Sequence, residues 1–302
     1  MWLIEQSQKH FWYKEYDTYG RKIMDDLDKR ITHLILFYVL LIYATSFVYM
    51  LYGITESVGK AGEDRIHPIR FRLLKNPTTT PYYEVVFVLE TVSTTHMGIC
   101  FCSFDNFLYV LSMNIGGQFK ILRNKMETIF IRDDSKGKSI QTYHEFKKCI
   151  AHHHLLISFV NKLECVFCFP LICQLLISSI VLCVAGFQLS THNEVLMKKV
   201  LFLAYIFGGF IQIFLITMNC NNIMDESGAI GNAIYNSNWA ETSYDEFNQF
   251  RKDMVTVMLR SKCPCKVTAA KFFPISLQSF TNVLSTTASY LTLLRTMANE
   301  EQ

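Results

Sequence analysis

The chain has 302 residues, half of them hydrophobic and 14% aromatic, and its 29 Lys and Arg against 26 Asp and Glu leave a formal net charge of +3. That small excess is spread over the polar stretches, which excludes a basic nucleic-acid-binding surface. The charges gather between long neutral runs, which excludes an ordinary water-soluble globule.

Residues 1–30 are charged and aromatic, with no short apolar core followed by a small-residue cleavage site. They read as an amphipathic cytosolic connector leading into a span, not as a secretory leader. Residues 31–54 form the first uncharged, aromatic-rich span. The stretch 56–81 carries Pro68, Pro77 and Pro81 with mixed charges and reads as a loop over a bundle end. A second span over 83–113 contains Glu90, which fits either a solvated helix or a carboxylate turned toward a protein cavity; the neighbouring runs favour the cavity. Residues 119–164 keep apolar residues at helical spacing among many charges, so they are expected to form a cytosolic helical loop. Spans at 165–190 and 198–222 follow, and Gly208-Gly209 within the latter reads as a close helix contact. Residues 225–268 are expected to be cytosolic helices, with Phe247, Phe250, Met254, Val257 and Met258 on one face. The expected fold is all-α: a polytopic membrane helix bundle of five visible spans with a cytosolic helical extension.

The fifth span, 269–297, is two-faced. Phe273, Leu277, Phe280, Leu284 and Leu291 follow a 4-3 spacing, while Ser279, Asn282, Thr286, Ser289 and Thr296 recur about half a turn away. A helix facing only lipid has no reason to carry such a stripe, so this one is expected to face other helices or water. Lys29 and Arg30 before the first span, and Lys262, Lys266 and Lys271 before the last, place the N-terminus in the cytosol and the C-terminus outside. Lys198 and Lys199 oppose that orientation.

Chemical motifs are sparse. No P-loop, nucleophile elbow, HExxH pair or glycine-rich dinucleotide turn is present, so no enzyme, cofactor or metal is expected. Most of the ten cysteines lie in greasy runs, where Cys acts as a small hydrophobe. Cys263-Pro264-Cys265 lacks two further ligands for zinc. Three adjacent histidines, His152, His153 and His154, point about 100° apart on a helix and cannot meet one ion.

Ala233-Ile234-Tyr235 with Trp239, Met258-Leu259-Arg260, Pro264, Lys271-Phe272-Phe273-Pro274, Ser276-Leu277, Phe280, Ser289-Tyr290 and Leu293-Leu294-Arg295 follow one another in the order and spacing of a known family. Pro81-Tyr82, Cys149-Ile150 and His152-His153 are weaker members of the same pattern. On these residues the chain resembles the insect odorant receptors over almost its whole length. The gustatory receptors usually end in a Thr-Tyr, five residues, Gln-Phe pattern, whereas here Ser289-Tyr290 precedes Thr296-Met297.

The resemblance implies helices three to seven of a seven-span subunit, with the first two missing. Such subunits join a shared odorant co-receptor in a heterotetramer, a ligand-gated non-selective cation channel in the plasma membrane that detects small apolar odorants. It further implies that Asn282, Thr286, Ser289 and Thr296 line the pore with Leu293 as the apolar gate. Ser46, Tyr49, Phe87, Glu90, Phe202 and Tyr205 would border the odorant pocket. Tyr235, Trp239, Phe250, Met254 and Arg260 would anchor the subunits to one another. A gustatory-type channel or a G-protein-coupled-like receptor is the alternative, and a transporter, which would show internal repeats, is a more distant one.

Overall fold

The computed structural model describes residues 2–7, 9, 16–57, 81–129, 139–190, 196–237, 239 and 248–300. The expected loop prolines Pro68 and Pro77, and Phe247 of the expected helical face, lie outside the described residues. In chain order the elements are α1 (Trp2–Ser7), α2 (Thr18–Ser57), α3 (Tyr82–Thr128), α4 (Ser139–Ser190), α5 (Leu196–Asn236), α6 (Asn248–Ser261), β1 (Thr268–Ala269), β2 (Phe273–Pro274) and α7 (Leu277–Glu300). Among the described residues the fold is all-α apart from one two-residue antiparallel pair, in which Thr268 faces Pro274 and Ala269 faces Phe273.

Helix boundaries follow from local chemistry. Asp17 caps α2, its Oδ1 accepting from the Gly20 amide at 2.9 Å and satisfying one of the first-turn donors that a helix leaves open. Ser276 and Ser279 cap α7 reciprocally. The Ser276 amide donates to Ser279 Oγ at 2.8 Å and the Ser279 amide to Ser276 Oγ at 3.4 Å, a box closed by two serines.

These caps revise the expected boundaries. The last helix starts at Leu277 and not near residue 269, because Pro274 lacks an amide donor and Ser276 supplies a cap, while residues 268–274 are spent on the strand pair. The polar connectors are helical, in part as continuations of the long helices, and α6 stands within 225–268 as a helix of its own. Residues 119–128 continue α3, residues 139–164 begin α4, and residues 225–236 complete α5. Their apolar positions keep the 3.6-residue period beyond the neutral runs, so the helices run on past them.

The chain divides into two compact units, each taking a segment from every long helix. The first comprises Met1–Ile31, Leu108–Leu175 and Phe214–Thr281. Its core is aromatic: Phe119, Phe146, Phe159, Phe167 and Phe250 are fully buried. Phe250 of α6 meets Phe146 edge-on at 5.1 Å and Tyr143 at 5.5 Å, both on α4, within the favoured range for aromatic pairs. Arg123 of α3 bridges Glu226 of α5 at 2.8 Å. His153 is buried and meets Phe119 edge-on at 6.4 Å, which makes it a packing residue of this core.

The second unit comprises Thr32–Phe107, Leu176–Ile213 and Asn282–Gln302. Its outer surface is apolar: Leu40 is 68% exposed, Val92 60% and Ile180 63%. Water would penalise that much apolar area, and a bilayer does not. Among the described residues four helices, α2 to α5, are long and apolar enough to cross a membrane; α7, with its serines and threonines, is not among them. The chain is a multi-pass membrane protein.

Candidate functional site

Inside the second unit α2, α3, α4 and α5 leave a cavity of about 280 Å³. Its walls are mostly apolar: Leu41, Ile42, Phe101, Ile177 and Val181 dominate, and Tyr38, Thr45, Ser178, Tyr205 and Gln212 supply polar atoms. Small-molecule sites have this composition, a greasy enclosure with a few polar groups, and a volume near the lower end of their usual range of about 300–1,000 Å³. Glycines make the room. Gly98, Gly208 and Gly209 all border the cavity. A Cβ on Gly209 would stand 3.3 Å from Leu182 and one on Gly98 3.4 Å from Ile42, so the helices approach closely where these residues occur. The Gly208-Gly209 pair thus acts both as a close helix contact and as cavity wall.

One wall is polar. The Gln212 amide nitrogen donates a short hydrogen bond to the Asp105 carboxylate, and both side chains are buried. A carboxylate among spans is costly without such a donor.

Of the six residues expected to border a pocket, Tyr205 lines the cavity. Tyr49, Glu90 and Tyr205 lie close enough to interact electrostatically, and Glu90 is only 6% exposed. Glu90 is therefore turned into the protein. Ser46 accepts a hydrogen bond from Thr95 at 3.1 Å and follows the cavity residue Thr45. Phe87 stacks on Tyr83 at 6.1 Å, and Phe202 is half-buried just before the cavity segment of α5, which begins at Ala204. Among the lining residues that sequence reasoning missed are Tyr38, Thr45, Phe101, Ser178 and Gln212. The one available signal was polar residues within neutral runs, Gln212 foremost.

The second feature is the outer face of α7. Phe280, Val283, Leu284, Thr287 and Leu291 are wholly or partly buried. Cys183 of α4 donates to the Thr287 carbonyl at 3.5 Å, and a Cβ on Gly186 would meet Leu291 at 3.0 Å. Asn282, Thr286, Ser289, Leu293 and Thr296 are all exposed together on the opposite side. Ser279 leaves that stripe, buried in the N-terminal cap. The Thr286, Ser289 and Thr296 hydroxyls each bond a carbonyl four residues back, at 2.9, 2.9 and 3.0 Å, so each donor is spent while the oxygen lone pairs stay outward.

The residues expected to anchor subunits take different places. Phe250 and Met254 are each 2% exposed and are spent on the chain's own core. Arg260 closes α6, donating to the Cys263 carbonyl at 2.6 Å. Trp239 is half-buried, while Tyr235 is 71% exposed. Nearby, the Cys265 amide donates to Ser227 Oγ at 2.9 Å. Burial pushes the Cys265 thiol above its ordinary pKa, against the opposing charge of Arg260 and hydrogen bonds from Ser227 and Arg260. Among the described residues no cluster of His, Cys, Asp and Glu has metal-binding geometry.

Fold and site together define an all-helical multi-pass membrane protein with a small-molecule-sized cavity among its spans and a hydroxyl-bearing final helix. The sequence profile of the 7tm odorant receptor family matches residues 10–288, and the chain belongs to that family. It is 30% identical over 229 residues to Odorant receptor 13a of Drosophila melanogaster, covering 72% of this chain and 54% of the relative. It is 28% identical over 224 residues to Odorant receptor Or2 of Anopheles gambiae, covering 73% and 58%. The chain thus spans between half and three-fifths of these relatives. Among solved structures it resembles the insect olfactory receptor OR5 from Machilis hrabei in complex with eugenol, with a TM-score of 0.78 at 16% identity over 98% of this chain and 74% of that one.

Proposed function

We propose that this chain is the odorant-recognising subunit of a ligand-gated, non-selective cation channel, working with a shared odorant co-receptor in a heterotetramer at the plasma membrane. The observation that carries the reading is the apolar cavity of about 280 Å³ bordered by Tyr205 and Gln212. A small volatile molecule fits such a space, and the solved relative holding eugenol supports that size class. The ligand binds the open arrangement more tightly than the closed one and shifts the population toward it.

In this reading the exposed face of α7 lines the pore. Thr286, Ser289 and Thr296 offer oxygens to hydrated cations, Asn282 sits deeper, and Leu293 forms the apolar constriction that gates by dewetting. Tyr235 meets a neighbouring subunit, Trp239 and Arg260 shape that surface, and Phe250 and Met254 stiffen it from inside. The N-terminus is cytosolic and the C-terminus extracellular, consistent with the lysines that precede α7. The chain binds and gates, and performs no catalysis.

The test is to express the chain with an insect odorant co-receptor in cells otherwise silent to odorants, and to record current while applying a panel of small volatile compounds. The proposal expects odorant-evoked cation current that Leu293→Ala alters at rest. A reporter that reaches the surface without ever conducting, or that signals only through G proteins, would sink it.

A further inference from the structure

We propose that the turn between β1 and β2 is an interfacial membrane wedge, seating Phe272 among lipid acyl chains and Lys271 at anionic phospholipid headgroups. The turn is built at a cost. Ala270 and Lys271 have φ of 46° and 64°, and the Phe272 amide bonds the Ala269 carbonyl at 2.9 Å. Two consecutive left-handed residues across such a bond are a hairpin turn that usually takes Asn-Gly. Side chains with a Cβ disfavour this conformation, so it persists where the surroundings enforce it.

The enforcing contacts come from α4 and from within the hairpin. The Ala270 amide donates to the Cys168 carbonyl at 2.9 Å, Thr268 Oγ1 to Glu164 at 2.5 Å, and the Lys271 amide to Thr268 Oγ1 at 3.2 Å. Pro170, inside α4, has no amide to offer the preceding turn, which loosens the helix where the hairpin attaches. The result aims Lys271 and Phe272 outward. Phe272 is 81% exposed, which water alone does not favour.

The attachment point fixes the level. Glu164 is the last charged residue before the neutral run of α4, so it marks the bilayer boundary on that helix. Just inside it, Val166 and Phe169 are exposed, and the Ala270 amide on the Cys168 carbonyl ties the turn to that level of α4. Charge agrees with position. Lys262, Lys266 and Lys271 are exposed, and no acidic residue occurs between 262 and 276. The Glu164 carboxylate, which meets the hairpin, is occupied by Thr268. An apolar ring beside exposed lysines suits an anionic bilayer surface.

The full chain is reconstituted in nanodiscs of phosphatidylcholine and phosphatidylserine carrying bromine at a shallow or a deep acyl position. Phe272→Trp fluorescence is measured above the wild-type tryptophan background, with Phe169→Trp as lipid-exposed control. Quenching by shallow bromine comparable to the control, and weaker quenching by deep bromine, supports the wedge. Phe272→Trp left unquenched while Phe169→Trp is quenched overturns it, as does quenching that vanishes at high protein density because a second copy covers the turn. If the variant fails to fold, wild-type chain with photoactivatable phosphatidylserine decides: adducts on residues 271–273 support the proposal and their absence there overturns it.

Discussion

At the residue scale, burial sorts side chains that look alike in sequence. Cys263 is exposed and Cys265 is buried with its pKa raised, first by desolvation. A raised pKa keeps the thiol protonated through the mildly alkaline range, and only the thiolate reacts. In folded protein, maleimide labelling followed by mass spectrometry is expected to modify Cys263 fully and leave Cys265 unmodified up to pH 9. Phe250 is buried and meets Tyr143 and Phe146 of α4. Phe250→Ala is expected to cost about 3–5 kcal/mol of stability, seen as a large fall in thermal unfolding temperature in detergent, whereas Tyr235→Ala, at an exposed site, is expected to leave that temperature unchanged. Glu90 was legible in the sequence because a carboxylate in a neutral run has few physical options. The Asp105–Gln212 pair was not, because its members are 107 positions apart and nothing local joins them.

At the element scale, the long helices were legible because neutral runs of membrane length have one plausible structure. Where the connectors belonged was not legible, since a charged amphipathic continuation and a separate cytosolic helix have the same 3.6-residue pattern. The start of α7 was hidden by a continuing apolar spacing through Phe273 and Leu277, although Pro274 and Ser276 carried the break signal. The turn before α7 provides a test of its left-handed geometry. Ala270→Gly is expected to leave the unfolding temperature unchanged or raised, while Ala270→Val, which adds a branched side chain at φ 46°, is expected to lower it. On α7 itself, Gly186→Val puts atoms against Leu291, where even a single Cβ stands at 3.0 Å. Crowding of this kind typically costs about 1–3 kcal/mol; the expected readout is a lowered unfolding temperature, rescued in part by Leu291→Ala.

At the scale of the whole molecule, the two units show different economies. One buries five phenylalanines completely, whereas the other turns large aliphatic side chains outward and keeps a cavity within. The first packs as a protein interior does, and the second exposes the apolar surface of a lipid-embedded bundle. Composition alone revealed that the chain is a membrane protein, and the motif spacing revealed its family. The cavity lining was legible only in part, because which side chains converge depends on how four helices rotate about their axes, and neutral runs carry little rotational information.

The most direct test of the account is the odorant dose–response of current in cells expressing this chain with an odorant co-receptor, comparing wild type with Gly208→Ala and Gly208→Leu at matched surface expression. A Cβ at Gly208 would make only an ordinary contact, 3.7 Å from Leu41, so the alanine variant is expected to respond like wild type. The leucine variant fills the cavity; it is expected to need at least about tenfold more odorant, the equivalent of about 1.4 kcal/mol of lost binding, or to fall silent. A leucine variant with an unchanged dose–response would contradict the assignment of the odorant to this cavity.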